Sequence, residues 1–382
     1  MIPPICVKYK VEHWIEISSA FYFAERMVRL VRNTMNFVDL CRGEFGRKVA
    51  YTGVDRITPQ NVVKVVSDTI GIHNRNRTLI DYLYRYMKGD QPILYRNKIV
   101  RPEVNNRVVE NHAFETVKFK AGQICGEPIQ YVCKKKKADK KINEQVDLLN
   151  DYLDEANADA RNIQRAIYQS ATGTSYKAIL KEEDWTKNGD LPPFRIFIPY
   201  PGDCYIVYSQ RNGKPMLSVQ ILKDEDEQQY YLCYSKNQFF EIKNGKVTNY
   251  GINGFGGIPI VECPNNHDRL SDVEIAITLF DAINKYQSDR LNGVEQFVQA
   301  FMKFKNCEID ENEFLKMVKL GAISVKDTGN GCQSDVELMT AELNQSESQV
   351  AKDDIYNNML IVEAMPNRQS NSGGDTGNAV YL

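Results

Sequence analysis

An α+β fold is expected from this 382-residue sequence because three patterns follow one another along it. Helical periodicity dominates residues 18–171. Short β-rich runs separated by tight turns fill residues 174–263. A second helical block then opens at Ser271, in the stretch "GGIPIVECPNNHDRLSD".

The first block divides into several helices. Residues 18–40 read as a helix with Arg26, Arg29 and Arg32 on one face, either a solvated stripe or a contact surface for a partner or neighbouring subunit. "TPQNVVKVVSDTIG" begins with Thr58 as N-cap and Pro59 at the first helical position, and Gly71 marks its end. "TLIDYLYRYMKGD" is a further helix closed by Gly89, with Tyr82 and Tyr86 spaced to share a core-facing side. Asn106 is expected to cap a helix carrying Val108, Val109, Phe114, Val117 and Ile124. Gly126 and Pro128 break that helix, and a short strand is expected near 129–132. The lysine run "CKKKKADKK" precedes an acidic amphipathic stretch, "NEQVDLLNDYLDEAN", and reads as a solvated loop rather than a phosphate site. A helix near 159–171 ends at "TGTS".

The runs "YKAIL", "FRIFIP", "CYIVYS", "LSVQIL", "YYLCYS", "FFEIK" and "IPIVE" predict an antiparallel meander over 174–263. An α+β domain is therefore expected over residues 1–265.

Ser271 caps the next helix, with Asp272 and Glu274 in the first turn where carboxylates oppose the helix dipole. The pattern runs for about thirty residues to about 305, a rod of roughly 45–50 Å. Val273, Ala276, Phe280, Ile283, Gln287, Leu291, Val294, Val298 and Phe301 form a nearly heptad stripe, with one stutter at Gln287. Ile275, Leu279, Phe297 and Phe304 widen it, so the rod requires partners on more than one side. A second helix, 346–364, carries Val350, Ala351, Ile355, Met359 and Val362 and ends before Pro366. Between the two lies a small module, 306–345, with a short helix in "DENEFLKMVK" and a strand in "GAISV". One such helical hairpin is too thin to bury both faces. Copies around a closed ring satisfy every subunit with one repeated contact, and the polar "NRQSNSGGDTGN" loop would then project into the bore.

Composition narrows the function classes. Forty-eight basic and fifty acidic residues give a formal net charge of −2, which argues against tight nucleic-acid binding. The nine cysteines form no Cys-x-x-Cys pair and fit neither a zinc site nor a disulfide framework, so they read as reduced thiols in a cytosolic compartment. Glu12 and Glu16 precede any apolar run, unlike a signal peptide. No run has the length of a membrane span. There is no Walker loop, G-x-G-x-x-G, H-E-x-x-H or G-x-S-x-G, and His13, His73, His112 and His267 are scattered. No enzyme activity, metal or cofactor is expected. Two alternatives stay open: a metal-dependent DNA-processing enzyme built from distant residues, and a ring adaptor without DNA contact.

Four segments resemble the portal proteins of long-tailed bacteriophages, in family order: "YLYRYMKGDQPILYR", "NNRVVENHAFETVKFKAGQICGEPIQY", "GGIPIVECPNNHDRLSDVEIAITLFDAINKYQSDRLNGVEQF" and "SGGDTGNAVYL", where Thr376 stands at a position commonly serine. The resemblance spans about residues 75–382. It implies a portal-type fold: a helical and β-meander wing (1–265), a stem helix (266–305), a clip (306–345), a second stem helix (346–365), and a tunnel loop with the start of a following helix (366–382). The family continues into a long kinked helix and a crown, which the given sequence does not include; the crown is expected to be absent. The resemblance further implies a homo-oligomeric, usually dodecameric ring at one capsid vertex of the virion, assembled in the host cytoplasm, without hydrolytic activity. Double-stranded DNA would pass through it without sequence preference. The implied partners are the large terminase, then head-completion and tail adaptor proteins, with the major capsid and scaffolding proteins around it. On this pattern Asn367, Arg368, Gln369, Ser370, Asn371 and Ser372 would face the tunnel, and Glu308, Asp310, Glu311, Lys316 and Lys319 would form the partner-binding clip.

Overall fold

A computed structural model of the chain describes residues 36–99, 102–133, 140–182, 192–298, 301–305, 310, 312, 335–339 and 345–367. Helices and strands are both abundant in it, as expected for an α+β protein. The arginine face at Arg26, Arg29 and Arg32, the lysine run from Lys134 to Lys137, and "GAISV" lie outside the described residues, as does all of "DENEFLKMVK" apart from Asp310 and Asn312.

The first described helix, α1 (Phe37–Cys41), is capped by Asn36, whose side chain accepts from the Asp39 N–H at 2.9 Å. It delivers Phe37 to the core beside Tyr82. Strand β1 (Ala50–Thr52) follows. The two helices expected on either side of Gly71 are one continuous helix, α2 (Val62–Met87). Gly71 is exposed with open space around it. A glycine inside a helix costs about 1 kcal/mol, while α2 buries Val62, Val65, Val66, Leu79, Ile80, Leu83 and Tyr86, so packing outweighs the local break. Thr58 does not cap with its side chain; its carbonyl accepts from the N–H groups of Asn61 and Val62, and Asn61 Oδ1 accepts from the Thr58 N–H.

Helix α3 (His112–Cys125) starts later than expected, at Asn111, whose side chain accepts from the Phe114 N–H at 3.2 Å. Asn106 is therefore not the cap, and residues 106–110 are extended along another helix, described below. Residues 129–132 form no strand. Helices α4 (Lys140–Glu155) and α5 (Ala158–Thr172) complete the block, and Gly173 closes α5 at φ +83.

The β region is two sheets rather than one meander. Strands β2 (Thr174–Lys181), β3 (Phe194–Phe197) and β9 (Ile260–Pro264) form an antiparallel sheet with β2 in the centre. Strands β4 (Cys204–Ser209), β5 (Pro215–Lys223), β6 (Gln229–Tyr234), β7 (Gln238–Lys243) and β8 (Lys246–Ile252) run up and down, and β1 adds to β4 in parallel. β4 explains the division. Its Tyr205 and Val207 pack with Val62, Val65 and Val66 of α2, while Cys204 and Ile206 pack with Tyr176, Ala178 and Ile260 of the smaller sheet. A strand covered on both faces reads as an unbroken apolar run, so its sequence does not reveal which neighbour it hydrogen-bonds.

The long helix α6 (Asp272–Val298) ends short of the expected 305. Residues Phe301–Lys305 instead form β10, paired antiparallel with β11 (Asp335–Met339), Phe301 opposite Met339 and Lys305 opposite Asp335. That pairing is non-local, so helical periodicity runs on past the true boundary. Helix α7 (Gln345–Val362) returns alongside α6.

Candidate functional site

The corner that launches α6 is built from polar side chains holding backbone. Asn265 Nδ2 donates to Leu270 O and Asp272 Oδ1, both at 3.0 Å, and Asn266 Oδ1 accepts from the Leu270 N–H at 2.8 Å. Ser271 Oγ accepts from the Glu274 N–H at 3.3 Å, and Glu274 Oε2 accepts from the Ser271 N–H at 3.2 Å, a reciprocal capping box. The buried Glu274 also takes the Gly46 N–H at 2.6 Å and pairs with the buried Arg47 guanidinium. A second carboxylate, Glu262 on β9, receives Arg269 through two N–H bonds at 2.7 and 2.9 Å, with Tyr208 and Thr174 hydroxyls completing its shell. Burial alone would raise the Glu262 pKa, but the Arg269 bonds and charge outweigh it and hold the carboxyl below its usual range. The backbone at Asp268 and Arg269 is pinched between Gly46 (φ +78) and Gly173 (φ +83). A Cβ at Gly173 would lie 2.0 Å from the Arg269 carbonyl oxygen, so only glycine fits.

Along its first half α6 is a core helix. Val273, Ala276, Ile277, Phe280 and Ile283 are buried with Leu79, Leu83 and Tyr86 of α2, Val117 of α3, and Met359 and Leu360 of α7. Thus this half of the stripe is sheltered within one chain rather than by neighbouring copies. At Leu291 and Val294 the stripe is exposed, as is Ile275 on the other side. On α7 only Met359 and the half-buried Ile355 of the expected stripe turn inward; Val350, Ala351 and Val362 are exposed.

A polar ladder fixes the next face. Asn284, Ser288 and Asn292 stand one turn apart on α6, all buried. They accept the N–H groups of Glu110 at 2.8 Å, Val108 at 2.9 Å and Asn106 at 2.7 Å. Four helical residues rise about 6 Å, and two extended residues advance about 6.6 Å, so alternate strand amides meet every helical turn. Asn284 also donates to Gln91, and Arg96 pairs with Asp289 at 2.7 Å. This ladder is the role of the asparagines at 106, 284 and 292, which helical periodicity and capping rules do not reveal.

The same extended segment reaches α7. Glu110 accepts from Lys352 Nζ at 2.6 Å and from His112 Nε2 at 3.2 Å, and His112 Nδ1 donates to Glu115 at 2.9 Å. Burial disfavours the imidazolium, but the two carboxylates outweigh it and raise the His112 pKa to about 9. Arg290 of α6 donates to Gln349 of α7 at 2.7 Å.

Helix α7 ends in a Schellman turn. The Met365 N–H donates to Leu360 O at 2.8 Å and the Ala364 N–H to Ile361 O at 3.1 Å, with Ala364 left-handed at φ +51. Leu360 and Met365 are buried in the same cluster. Glu363 between them is buried; desolvation, with the nearby Asp272 charge, lifts its pKa to about 8, and its Oε1 has no hydrogen-bond partner. This turn aims the chain into Pro366 and Asn367, where Asn367 Nδ2 donates to Asn357 Oδ1 at 3.0 Å.

Of the sequence-predicted site residues, Asn367 is therefore placed at the root of the polar loop, half-buried against α7. Arg368, Gln369, Ser370, Asn371 and Ser372 lie outside the described residues. Asp310 is exposed; Glu308, Glu311, Lys316 and Lys319 lie outside the described residues. The strand pair β10–β11 stands at the root of the segment that contains them. Among the described residues no group of three His, Cys, Asp or Glu side chains is placed to hold a metal ion. No described helix is long and apolar enough to cross a membrane.

No curated protein matches the chain. Among solved structures, a chain of the neck of a native GTA particle, computed with C12 symmetry, aligns over 78% of this chain and 71% of its own length, at 11% identity and a TM-score of 0.38. Residues 67–380 match the family described as "Phage portal protein, SPP1 Gp6-like". That match takes in the corner residues from Gly173 to Glu274, the polar ladder and both helices α6 and α7, and the chain belongs to this phage portal protein family.

Proposed function

We propose that this chain is the subunit of a portal ring at one vertex of a phage capsid, a conduit for double-stranded DNA during packaging and ejection. Family membership supports a structural portal and connector role in the particle. The observation that carries the fuller reading is the pair α6 and α7. The two helices lie side by side, flank the β10–β11 hairpin stem, and expose Leu291, Val294, Val350 and Val362. Apolar side chains on two adjacent rods need cover from identical neighbours, and a repeated heterologous contact that closes makes a ring.

In this reading residues 306–345 are the docking clip for the large terminase and afterwards for head-completion or tail adaptor proteins, with Glu308, Asp310, Glu311, Lys316 and Lys319 facing those partners. Asn367, Arg368, Gln369, Ser370, Asn371 and Ser372 line the bore and touch DNA weakly. Phosphate contacts dominate DNA affinity, and Arg368 is the one basic residue among those six. A sparsely charged lining lets the duplex slide. The test is Arg368→Glu in the phage context. Packaged DNA length or retention should change while ring assembly stays normal. A variant that fails to form rings, yet packages normally when assembly is rescued, would contradict the assignment. For the clip, charge reversal at Lys316 and Lys319 should weaken capture of the large terminase on affinity resin; undiminished capture would remove these residues from the docking surface.

A further inference from the structure

The turn that ends α7 buries a carboxyl group whose charged form has little to hold it. Glu363 is 2% exposed, and its Oε1 has no hydrogen-bond partner. It stands one residue past α7, where a carboxylate meets the negative end of the helix dipole. From α6 it faces a second carboxylate, Asp272, which accepts from Asn265 and from Ser170 of α5. From α3 it faces Lys120, whose Nζ donates to the backbone carbonyl of Glu363. Burial and Asp272 disfavour the ionised carboxyl, Lys120 opposes them, and the pKa lies at about 8.

The segment around this group is lightly held. The turn bonds of Ala364 and Met365, the burial of Met365 and the Asn367–Asn357 bond fix it. Ala364 is left-handed at φ +51, a strained position for a residue with a Cβ. Opening the segment relieves that strain, gives the carboxyl water and separates it from Asp272. Met359 and Leu360, one turn earlier, are buried in the core shared with α6, so the helix itself need not open. We propose that Glu363 is a proton-operated latch: protonated and buried, it holds residues 363–367 in the turn that ends α7, and loss of its proton releases them while α7 up to Leu360 stays packed on α6. The closed turn is most stable below the carboxyl reference of 4.5 and weakens as pH rises to about 8. Above that value it weakens no further, because closed and open forms are both ionised. The latch does not depend on the portal reading.

The test is amide hydrogen exchange of the full chain as a function of pH, each rate divided by that of an unstructured peptide at the same pH. Protection of the Ala364 and Met365 amides should fall by more than about ten-fold from pH 6 to pH 8 and level off above pH 8. At pH 8 it should lie at least about ten-fold below that of the amides of residues 355–360, because the release is local. A low concentration of urea should leave exchange in the turn unchanged, since local opening exposes little surface. In Glu363→Gln, which carries no titrating proton, protection of the turn should stay level from pH 6 to pH 8. Level protection in the wild-type chain, or an equally steep fall in Glu363→Gln, would overturn the latch. Urea-sensitive exchange in the turn, or equal protection in the turn and in residues 355–360, would overturn it as well, since the opening would then be global.

Discussion

At the scale of single residues, the structure depends on a few positions where no substitute fits. Gly173 combines φ +83 with a Cβ position 2.0 Å from the Arg269 oxygen. A left-handed non-glycine residue alone costs about 1–2 kcal/mol, and the clash must also displace the corner that starts α6. Gly173→Ala should therefore lower unfolding free energy by more than about 2 kcal/mol in a denaturant titration. Ala364 is the converse case, an alanine in the left-handed position of a Schellman turn. Ala364→Gly should stabilise by up to about 1 kcal/mol, read as a higher denaturation midpoint.

Two titrating groups give the protein a pH signature of one sign. Glu363 keeps its proton in the folded state up to a pKa of about 8, against a reference of 4.5. Between those values the folded chain binds more protons than the unfolded one, so its contribution to stability falls as pH rises. His112, raised to about 9, stabilises the fold fully below its reference of 6.5, and that contribution is lost as pH climbs through 9. Denaturation midpoints should thus decline from pH 5 to pH 9. Glu363→Gln should lessen the decline between pH 5 and 8, where above 6.5 His112 still contributes, and leave the decline between pH 8 and 9. An unflattened profile would mean that Glu363 is ionised in the folded chain.

At the scale of elements, the most informative feature is the extended segment 106–110 docked on α6. Each of Asn284, Ser288 and Asn292 receives a backbone N–H. Removing an acceptor leaves a buried donor unmet, which costs about 1–3 kcal/mol. Asn284→Ala should reach the upper part of that range, because Asn284 also bonds Gln91.

How legible each element was in the sequence follows from whether its cause is local. Ser271 as a cap, the inward tyrosines Tyr82 and Tyr86, and the existence of α6 and α7 were readable, since capping chemistry and helical spacing act within a few residues. Gly71 misled because the burial that overrides it comes from β strands more than a hundred residues away. The end of α6 at Val298, the two-sheet division at β4 and the role of Asn106 were not readable, because each is decided by a distant partner. For the candidate site, Asn367 and Asp310 are placed; Ser271 was legible at the corner, while its long-range clamps at Gly46, Arg47 and Gly173, the ladder and the carboxylate–imidazole cluster had no local signal.

At the scale of the whole molecule, helices α2, α3 and α7 pack around the first half of α6, and on its second half, away from the face held by residues 106–110, Leu291 and Val294 are exposed. The inner half of α6 has its core within the one chain. In the proposed ring, assembly rests on the exposed Leu291 and Val294. Leu291→Glu/Val294→Glu should leave the circular dichroism and the denaturation midpoint nearly unchanged, since surface substitutions usually shift stability by within about 0.5 kcal/mol. The same pair should abolish association.

The most direct measurement is electron microscopy of the purified full chain beside this double variant. The wild-type chain should give closed rings with a central hole, and the variant single subunits. A wild-type chain that stays as single compact particles at every concentration imaged, or a variant that still closes into rings, would contradict the account.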